Sequence, residues 1–246
     1  MRIYAIGDIH GYRDRLEQAH EAIEKDRAKT GDATAPVIHL GDLTDRGPES
    51  KGVIEFILAG RAEGQPWHVL KGNHDRMFAG FLTMPGHHDP RLFTGLHWLH
   101  PRLGGNATLA SYGILDAARR NASEVQQEAM EIVPAAHRDF LDALTLTYET
   151  EELFFAHAGI RPGVALDRQD EEDLVWIRHE FVDDPRDHGK LIVHGHTALD
   201  QPEHYGNRVN LDGGAGYGRP LHAAVFEERD VWLLSPGGRT RLNPVA

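Results

Sequence analysis

Cysteine is absent from this chain of 246 residues, so neither disulfides nor thiolate metal ligands are available. Any bound metal must therefore be held by oxygen and imidazole nitrogen. Apolar runs long enough to cross a bilayer are also missing, which predicts that the chain has no membrane partner. The residues after Met1 leave no room for an apolar signal region. We therefore expect a cytoplasmic protein.

Basic residues are fewer than acidic ones: 26 Lys and Arg against 38 Asp and Glu give a formal net charge of -12. Nucleic-acid binding needs a broad basic face that neutralises phosphates, so we expect no nucleic-acid partner. A single phosphate site is still compatible with this charge. Divalent metal ions and a few arginines can neutralise phosphate locally.

Strand and helix patterns alternate in the first part of the chain. Residues 2–8 predict a strand and residues 12–29 a helix, and the arrangement repeats at 37–40 with 49–58. Several further short strands are predicted between 153 and 234. Glycine, proline and histidine interrupt any period over 81–135, which predicts an inserted cap. The pattern indicates an α/β fold in one domain, 1–246.

Five short motifs place Asp, His or Asn beside glycine where predicted strands end. They are Gly7-Asp8-Ile9-His10-Gly11, Gly41-Asp42-Leu43-Thr44-Asp45-Arg46-Gly47, Gly72-Asn73-His74-Asp75, His157-Ala158-Gly159 and His194-Gly195-His196-Thr197. A single motif of this kind is weak, because Asp and His are common in loops. Five motifs with one shared chemistry predict a metal site.

The motifs divide between two cations. Asp8 and His10 are one residue apart, so their side chains face the same way at a strand end and can hold one ion. Asp42 can bridge a metal pair ~3.5–4 Å apart with its two oxygens. We expect two divalent metal ions, Mn or else Fe, Zn, Ni or Mg. The expected ligands are Asp8, His10, Asp42, Asn73, His157 and His196.

The motifs resemble those of the calcineurin-like metallophosphoesterases, in particular the bacterial Ser/Thr phosphoprotein phosphatases and the related symmetrical diadenosine tetraphosphatases. The resemblance implies a four-layer αββα sandwich of two mixed β-sheets flanked by helices, a fold classed as α/β or α+β. It also implies a site at the carboxyl ends of central strands. There a metal-bridging hydroxide attacks phosphorus while the cations neutralise the developing charge.

The resemblance also implies roles for single residues. His74 matches the family's general acid, and Asp45 matches the carboxylate that orients it. Arg46 and Arg178 match two arginines that bind the non-bridging phosphate oxygens. Asn73 is expected to contact the phosphate in addition to its metal.

Further residues have alternative roles or lie outside the main ligand set. Arg178 is either a phosphate ligand or a helix residue that is salt-bridged to the acidic residues 171–173. Tyr217, in a glycine-rich loop, either contacts the substrate or packs. His194 is expected beside the metal ligands. The histidines of the predicted cap, His87, His88, His97 and His100, are expected to lie in surface loops, the alternative being a third metal site.

The joint presence of Asp45, Arg46 and His74 favours a dinuclear-metal phosphatase for phosphate monoesters, most simply a Ser/Thr protein phosphatase. Its partner would be a phosphorylated protein or peptide. The alternative is a hydrolase of diadenosine tetraphosphate or other small phosphorylated substrates. Asp75 in the third motif and Ile160 after the fourth resemble that group of enzymes. A catalytically silent metal-binding regulator is a third, remote reading.

Overall fold

A computed structural model describes residues 1–84 and 86–245. Its strands in chain order are β1 (Arg2–Ile6), β2 (Val37–His39), β3 (Trp67–Val69), β4 (Thr147–Glu149), β5 (Leu153–Ala156), β6 (Leu191–His194), β7 (Glu203–His204), β8 (Arg208–Asn210), β9 (Ala223–Glu227), β10 (Asp230–Ser235) and β11 (Gly238–Arg241). Its α-helices are α1 (Arg13–Thr30), α2 (Ser50–Ala62), α3 (Asn73–Thr83), α4 (Gly105–Ser111), α5 (Ala122–Ile132), α6 (Ala135–Asp142), α7 (Glu171–Trp176) and α8 (His179–Val182).

The strands form two mixed sheets, as the resemblance implied. The first sheet has the order β11-β10-β9-β1-β2-β3, and the second has the order β4-β5-β6-β8-β7. Strands β1, β2 and β3 run parallel to one another, as do β5, β6 and β8. The outer strands pair antiparallel. Each sheet therefore has three parallel strands whose carboxyl ends lie at one edge.

The sheets pack face to face, with helices on both outer sides. Ile3 of β1 and Phe155 of β5 belong to the apolar cluster between the sheets. Tyr4, the next residue along β1, faces the cluster under α1 and α2, because alternate side chains of a strand point to opposite faces. On the second sheet, Phe154 packs with Phe181 of α8. The predicted four-layer αββα sandwich is confirmed.

The segment 81–135, predicted to be an inserted cap, begins inside α3, which ends at Thr83. Its apolar side chains, including Trp98 and Leu109, share one buried cluster with Leu16 of α1 and Ile54 of α2. The segment is thus packed into the outer helical layer of the first sheet. Its treatment as a separate cap stays a prediction.

Predicted element ends differ from the observed ones where the loops of the site begin. The strand predicted over 2–8 ends at Ile6, and the helix predicted over 49–58 begins at Ser50 and continues to Ala62. None of the helices in the described ranges is both long and apolar enough to span a membrane.

Candidate active site

The six expected metal ligands follow the parallel strands. Asp8 and His10 follow β1, Asp42 follows β2, Asn73 follows β3, His157 follows β5 and His196 follows β6. All six side chains are buried. Carboxyl ends of parallel strands converge at one edge of a sheet, where α/β proteins bind ligands. Residues separated by almost 190 positions therefore meet in one place.

Asp42 lies at the centre of this group. Its Oδ2 atom is 3.4 Å from Nε2 of His10, and its Oδ1 atom is 3.4 Å from Nε2 of His157. Two sets of side chains can each hold an ion, His10 with Asp42 and His74, and Asp42 with His157 and His196, their ligand atoms lying within 4.8 Å of one another. The shared carboxylate faces one set with each oxygen, which is the arrangement a bridging ligand needs.

Backbone carbonyls orient the two imidazoles beside Asp42. Nδ1 of His10 donates to the Thr44 carbonyl at 2.9 Å, and Nδ1 of His157 donates to the Leu40 carbonyl at 2.8 Å. The unprotonated Nε2 of each ring therefore faces the site, as metal ligation requires. Burial lowers the pKa of both histidines, which favours their neutral, ligating form.

Unsatisfied polar atoms show that the donor set fits cations. Asp8 Oδ2 accepts the His196 backbone N–H at 3.0 Å, but buried Oδ1 has no hydrogen-bond partner, and neither has Nε2 of His196. Burial raises the pKa of Asp8, and the charges of Asp212 and Asp42 raise it further. A positive ion would satisfy these atoms and relieve the repulsion between the carboxylates.

Asn73 and His157 also bring two acceptor atoms together with no proton between them. The amide Oδ1 lies 3.0 Å from Nε2 of His157, and that nitrogen carries no proton because Nδ1 donates to Leu40. Two lone pairs therefore face each other. Two ligand atoms at right angles around an ion, each about 2.1 Å from it, would be separated by about 3 Å. The observed distance suits metal ligands.

Gly195 explains how Asp8 and His196 come so close. A β-carbon at this position would lie 1.9 Å from Oδ1 of Asp8. Any larger residue would push the carboxylate away from its neighbours. Glycine between His194 and His196 is therefore a steric requirement of the site.

His74 and Asp45 form a buried pair beside the metal ligands. Nδ1 of His74 lies 2.6 Å from Oδ2 of Asp45, while its Nε2 accepts a hydrogen bond from Arg46 Nη2 at 3.1 Å. Asp45 also accepts hydrogen bonds from Trp98 and Thr108. These two partners were not anticipated, because neither stands in a motif.

The guanidinium of Arg46 lies inside the site. Its Nη1 donates to Nε2 of His10 at 3.0 Å. In this arrangement Arg46 therefore occupies the lone pair with which His10 would ligate an ion. Its Cζ atom lies 4.6 Å from the ring centroid of Tyr217. Arg46 can reach a phosphate bound between the metal ligands and this tyrosine.

Arg178 is not salt-bridged to the acidic residues before it. Those three are paired elsewhere, Glu171 with Lys71, Glu172 with Arg76 and Asp173 with Arg161. Arg178 Nη1 instead donates to the His196 carbonyl at 3.3 Å. Among the described residues no carboxylate lies within ion-pair distance of it. The phosphate reading of Arg178 is therefore the one that its surroundings favour.

An open cleft of about 360 Å³ joins these groups, with Arg219 on its wall. Arg219 donates to the Leu199 carbonyl at 2.8 Å and pairs with Asp200 at 3.0 Å, so its position is held. Tyr217 is 64% exposed at the rim. The cleft therefore offers three guanidinium groups and one aromatic face, although the chain as a whole is acidic.

Asp212 was missed as a site residue. It follows β8, the remaining parallel strand of the second sheet, and lines the cleft while being only 4% exposed. Burial raises its pKa, and Asp42 contributes to the increase. Its position after a strand and before Gly213-Gly214 was a signal of the same kind as in the five motifs.

The placement of His194 beside the metal ligands stays a prediction. As the last residue of β6, it packs edge-on against Phe181 of α8, with ring centroids 5.1 Å apart, and burial together with the charges of Arg208 and His157 lowers its pKa to about 3. Strand alternation alone would place His194 and His196 on the same face, but β6 ends at His194 and the left-handed φ of +64° at His196 changes the direction of the chain there. Of the cap histidines, His97 and His100 lie near each other, but neither belongs to a metal-capable group of the described residues.

Comparisons with known proteins agree with this geometry. The model of the family described as calcineurin-like phosphoesterase matches residues 1–229. The chain is 25% identical over 252 residues to a bis(5'-nucleosyl)-tetraphosphatase PrpE [asymmetrical] of Oceanobacillus iheyensis, covering 94% of this chain and 90% of the relative. The protein of the same name from Geobacillus thermodenitrificans is 27% identical over 254 residues, covering 93% and 91%.

Solved structures share the fold. A protein provisionally named a diadenosine tetraphosphatase superposes with a TM-score of 0.61 at 21% identity, covering 98% of this chain and 94% of the other. The cold-active protein-tyrosine phosphatase of a Shewanella species gives 0.61 at 16% identity, covering 98% and 80%. At these identities the superpositions bear on the fold alone.

Proposed function

Since this chain belongs to the calcineurin-like phosphoesterase family, we propose that it is a two-metal hydrolase of small phosphorylated substrates, in particular dinucleoside tetraphosphates. The observation that carries this is the placement of the Asp42-centred metal ligands and three arginines around one cleft. Family membership makes the chain a hydrolase, so the reading as a silent regulator is set aside.

Six side chains would hold the metals: Asp8, His10 and Asp42 for one ion, and Asp42, Asn73, His157 and His196 for the other. Bound ions would lower the pKa of water and neutralise charge on the transferred phosphoryl group. The donor set accepts several divalent ions, and we propose manganese.

The chain's own groups bind the substrate and supply a proton. Arg46 and Arg178 bind non-bridging phosphate oxygens through charge-assisted hydrogen bonds. His74 gives the proton on Nε2 to the leaving oxygen, and Asp45 keeps Nδ1 protonated and balances the charge of the imidazolium. Because Nε2 accepts from Arg46 in the present arrangement, His74 must take up a second proton before this step.

Two features of the cleft favour a nucleotide polyphosphate. Arg219 adds a third cation beyond the two that one phosphate needs, and it can pair with a neighbouring phosphate of a chain. The exposed ring of Tyr217 offers a face on which a base can stack. The relatives named as asymmetrical tetraphosphatases favour the same class of substrate.

The Ser/Thr protein phosphatase reading stays a second candidate. It is favoured by the 2.6 Å contact between His74 and Asp45. An alkoxide released from phosphoserine needs protonation far more than a nucleotide phosphate does, so a complete acid pair suits monoester cleavage.

Substrate competition would separate the two candidates. The metal-stripped chain, reloaded with manganese, should be given diadenosine tetraphosphate and a phosphoserine peptide at equal concentrations. We expect higher kcat/KM for the dinucleotide, with chromatography showing ATP and AMP as products of asymmetrical cleavage. Preference for the peptide would establish the second candidate instead.

A matched variant checks that the turnover belongs to this site. His74→Asn should lose turnover of the peptide while both metals remain bound. Loss of the metals in this variant would show that His74 is a ligand. Failure of the wild-type chain on both substrates with Mn, Fe, Zn and Ni would refute the proposed activity.

A further inference from the structure

Two side chains of the predicted cap segment, 81–135, reach the acid pair of the site. The indole Nε1–H of Trp98 donates to Oδ2 of Asp45 at 2.8 Å. The hydroxyl of Thr108, on α4, donates to Oδ1 of the same carboxylate at 2.7 Å. Trp98 is 4% exposed, and Asp45 and Thr108 are fully buried. Both oxygens of Asp45 are thus held from this segment, while Oδ2 also accepts the hydrogen bond from Nδ1 of His74.

Thr108 fixes the backbone of Asp45 as well as its side chain. The Asp45 N–H donates to Oγ1 of Thr108 at 2.8 Å and lies 3.1 Å from Oγ of Ser50. Asp45 has a φ of +73°, a left-handed conformation that costs free energy for a residue with a β-carbon. One hydroxyl therefore bridges the amide and the carboxylate of a strained residue and restricts both.

The direction of the Trp98 indole is itself fixed by packing. Its ring lies 5.1 Å from that of Phe78 and 4.8 Å from that of Phe81, both on α3. A β-carbon on Gly105 would lie 2.4 Å from the indole, so the backbone of α4 closes directly over it. Helix α3 also carries His74 in its first turn. The donor and the histidine that share Asp45 are therefore positioned by one helix.

We propose that Trp98 and Thr108 are positioning residues that hold the Asp45 carboxylate against Nδ1 of His74 and so direct Nε2 into the cleft. The predicted cap segment, 81–135, would then form the outer wall of the acid pair. This inference rests on the proposed function only in taking His74 as the proton donor to the leaving group. It holds for either substrate class.

Kinetics with two leaving groups test this role. Trp98→Phe retains the ring packing without the N–H, and Thr108→Val retains the shape without the hydroxyl. In the manganese-loaded chain each should lower kcat for phosphoserine about tenfold, a part of what a general acid contributes. The change for p-nitrophenyl phosphate should be less than about twofold, because its leaving group needs little protonation. KM and metal content should remain unchanged.

Two comparisons separate positioning from general damage. Thr108→Ser keeps the hydroxyl and should restore the wild-type ratio of the two rates. Trp67→Phe removes an indole whose N–H has no hydrogen-bond partner in the described structure, so it should leave that ratio unchanged. An unchanged ratio in both Trp98→Phe and Thr108→Val would overturn the proposal, while turnover itself would still support the proposed function.

An NMR measurement tests the contact without turnover. The chain has 4 tryptophans, and the indole N–H signal of Trp98 is identified by its loss in Trp98→Phe. Asp45→Asn should shift this signal and leave that of Trp67 in place. An unmoved Trp98 signal would refute the contact. If the wild-type chain hydrolysed neither of these esters nor diadenosine tetraphosphate, the proposed function would fail, and this signal alone would decide whether the contact exists.

Discussion

Backbone strain at the scale of single residues is concentrated in the site. Five site residues other than glycine have a left-handed φ between +48° and +73°, namely His10, Asp42, Asp45, Arg46 and His196. This conformation costs about 1–3 kcal/mol per residue and persists only where neighbouring contacts impose it. The hydrogen bond from the His196 N–H to Asp8 is one such contact. Strain of this kind is typical of functional residues.

Asp42→Asn should abolish turnover and reduce the metal content from two ions per chain to one or none. The amide keeps the shape of the side chain but lacks the charge and the second oxygen that a bridging ligand uses. Elemental analysis of the purified variant, together with kcat, checks this. Asp139→Asn, on the exposed face of α6, is the matched control. Full activity with two metals in Asp42→Asn would exclude a shared role for this carboxylate.

Arg46→Ala should lower kcat/KM about 10- to 100-fold, since a hydrogen bond to a charged group contributes about 1.5–3 kcal/mol. Metal content should stay the same. Arg46→Lys keeps the charge without the forked geometry and should recover only part of the loss. Steady-state kinetics with metal analysis would show this. An emptied metal site would mean that the contacts of Arg46 with His10 and His74 are structural.

At the scale of elements, a pair of buried histidines joins α1 to β2. Nδ1 of His39 donates to the His68 carbonyl at 3.2 Å, so its Nε2 accepts from Nε2 of His20 at 3.0 Å. The ring of Trp67 covers His20, with ring centroids 4.1 Å apart. Burial lowers the pKa of His20 to about 2 and that of His39 to about 4. The packing of this helix on the sheet thus requires neutral imidazoles.

Acid should therefore weaken the fold at mild pH. The unfolded chain takes up these protons below about pH 6.5 and the folded chain does not, so stability is complete above pH 6.5 and falls as the pH decreases towards 4. Between pH 7 and 5 the loss should be about 2 kcal/mol for each histidine. Urea unfolding at several pH values measures it.

A variant series assigns this acid sensitivity. His20→Phe replaces one titrating ring by one that does not titrate, so its stability should depend less steeply on pH than that of the wild type. His179→Gln changes an exposed histidine and should keep the wild-type dependence. Equal slopes for wild type and His20→Phe would show that the buried pair is not the cause.

At the scale of the whole molecule, the site connects the two sheets. Asp8, Asp42 and Asn73 follow strands of the first sheet, whereas His157 and His196 follow strands of the second. Burial raises the pKa of Asp8, and repulsion from the carboxylates of Asp212 and Asp42 raises it further. Cations bound here would remove this repulsion and tie the sheets together.

Manganese should therefore raise the melting temperature. Saturation at about 100 times Kd stabilises a folded protein by about 2.7 kcal/mol, which for a chain of this size is a rise of about 5–10 °C. Scanning fluorimetry with manganese, and then with excess chelator, would show the rise and its reversal. Asp42→Asn should show a much smaller rise. An equal rise in wild type and variant would place the stabilising ion elsewhere.

The α/β layering and the candidate ligand positions could be predicted from sequence because their signals are local, whereas the two-sheet sandwich came from the family resemblance. Strand ends are recognised by an apolar run that stops at glycine, and the ligands stand directly after them. Asp212 carried this signal too and was overlooked. The order of the strands within each sheet and the bounds of most helices after Thr83 had no such local signal.

The sequence by itself determined which donor groups the site has available: no thiolate, but carboxylate, amide and imidazole groups at the ends of predicted strands. Tertiary structure alone decided that Arg178 is free of its acidic neighbours, that His194 packs against Phe181, and that Trp98 and Thr108 hold Asp45. These last partners stand 53 and 63 positions from Asp45. Such contacts arise from the packing of α3 and α4, and periodicity and turn residues describe only neighbours along the chain.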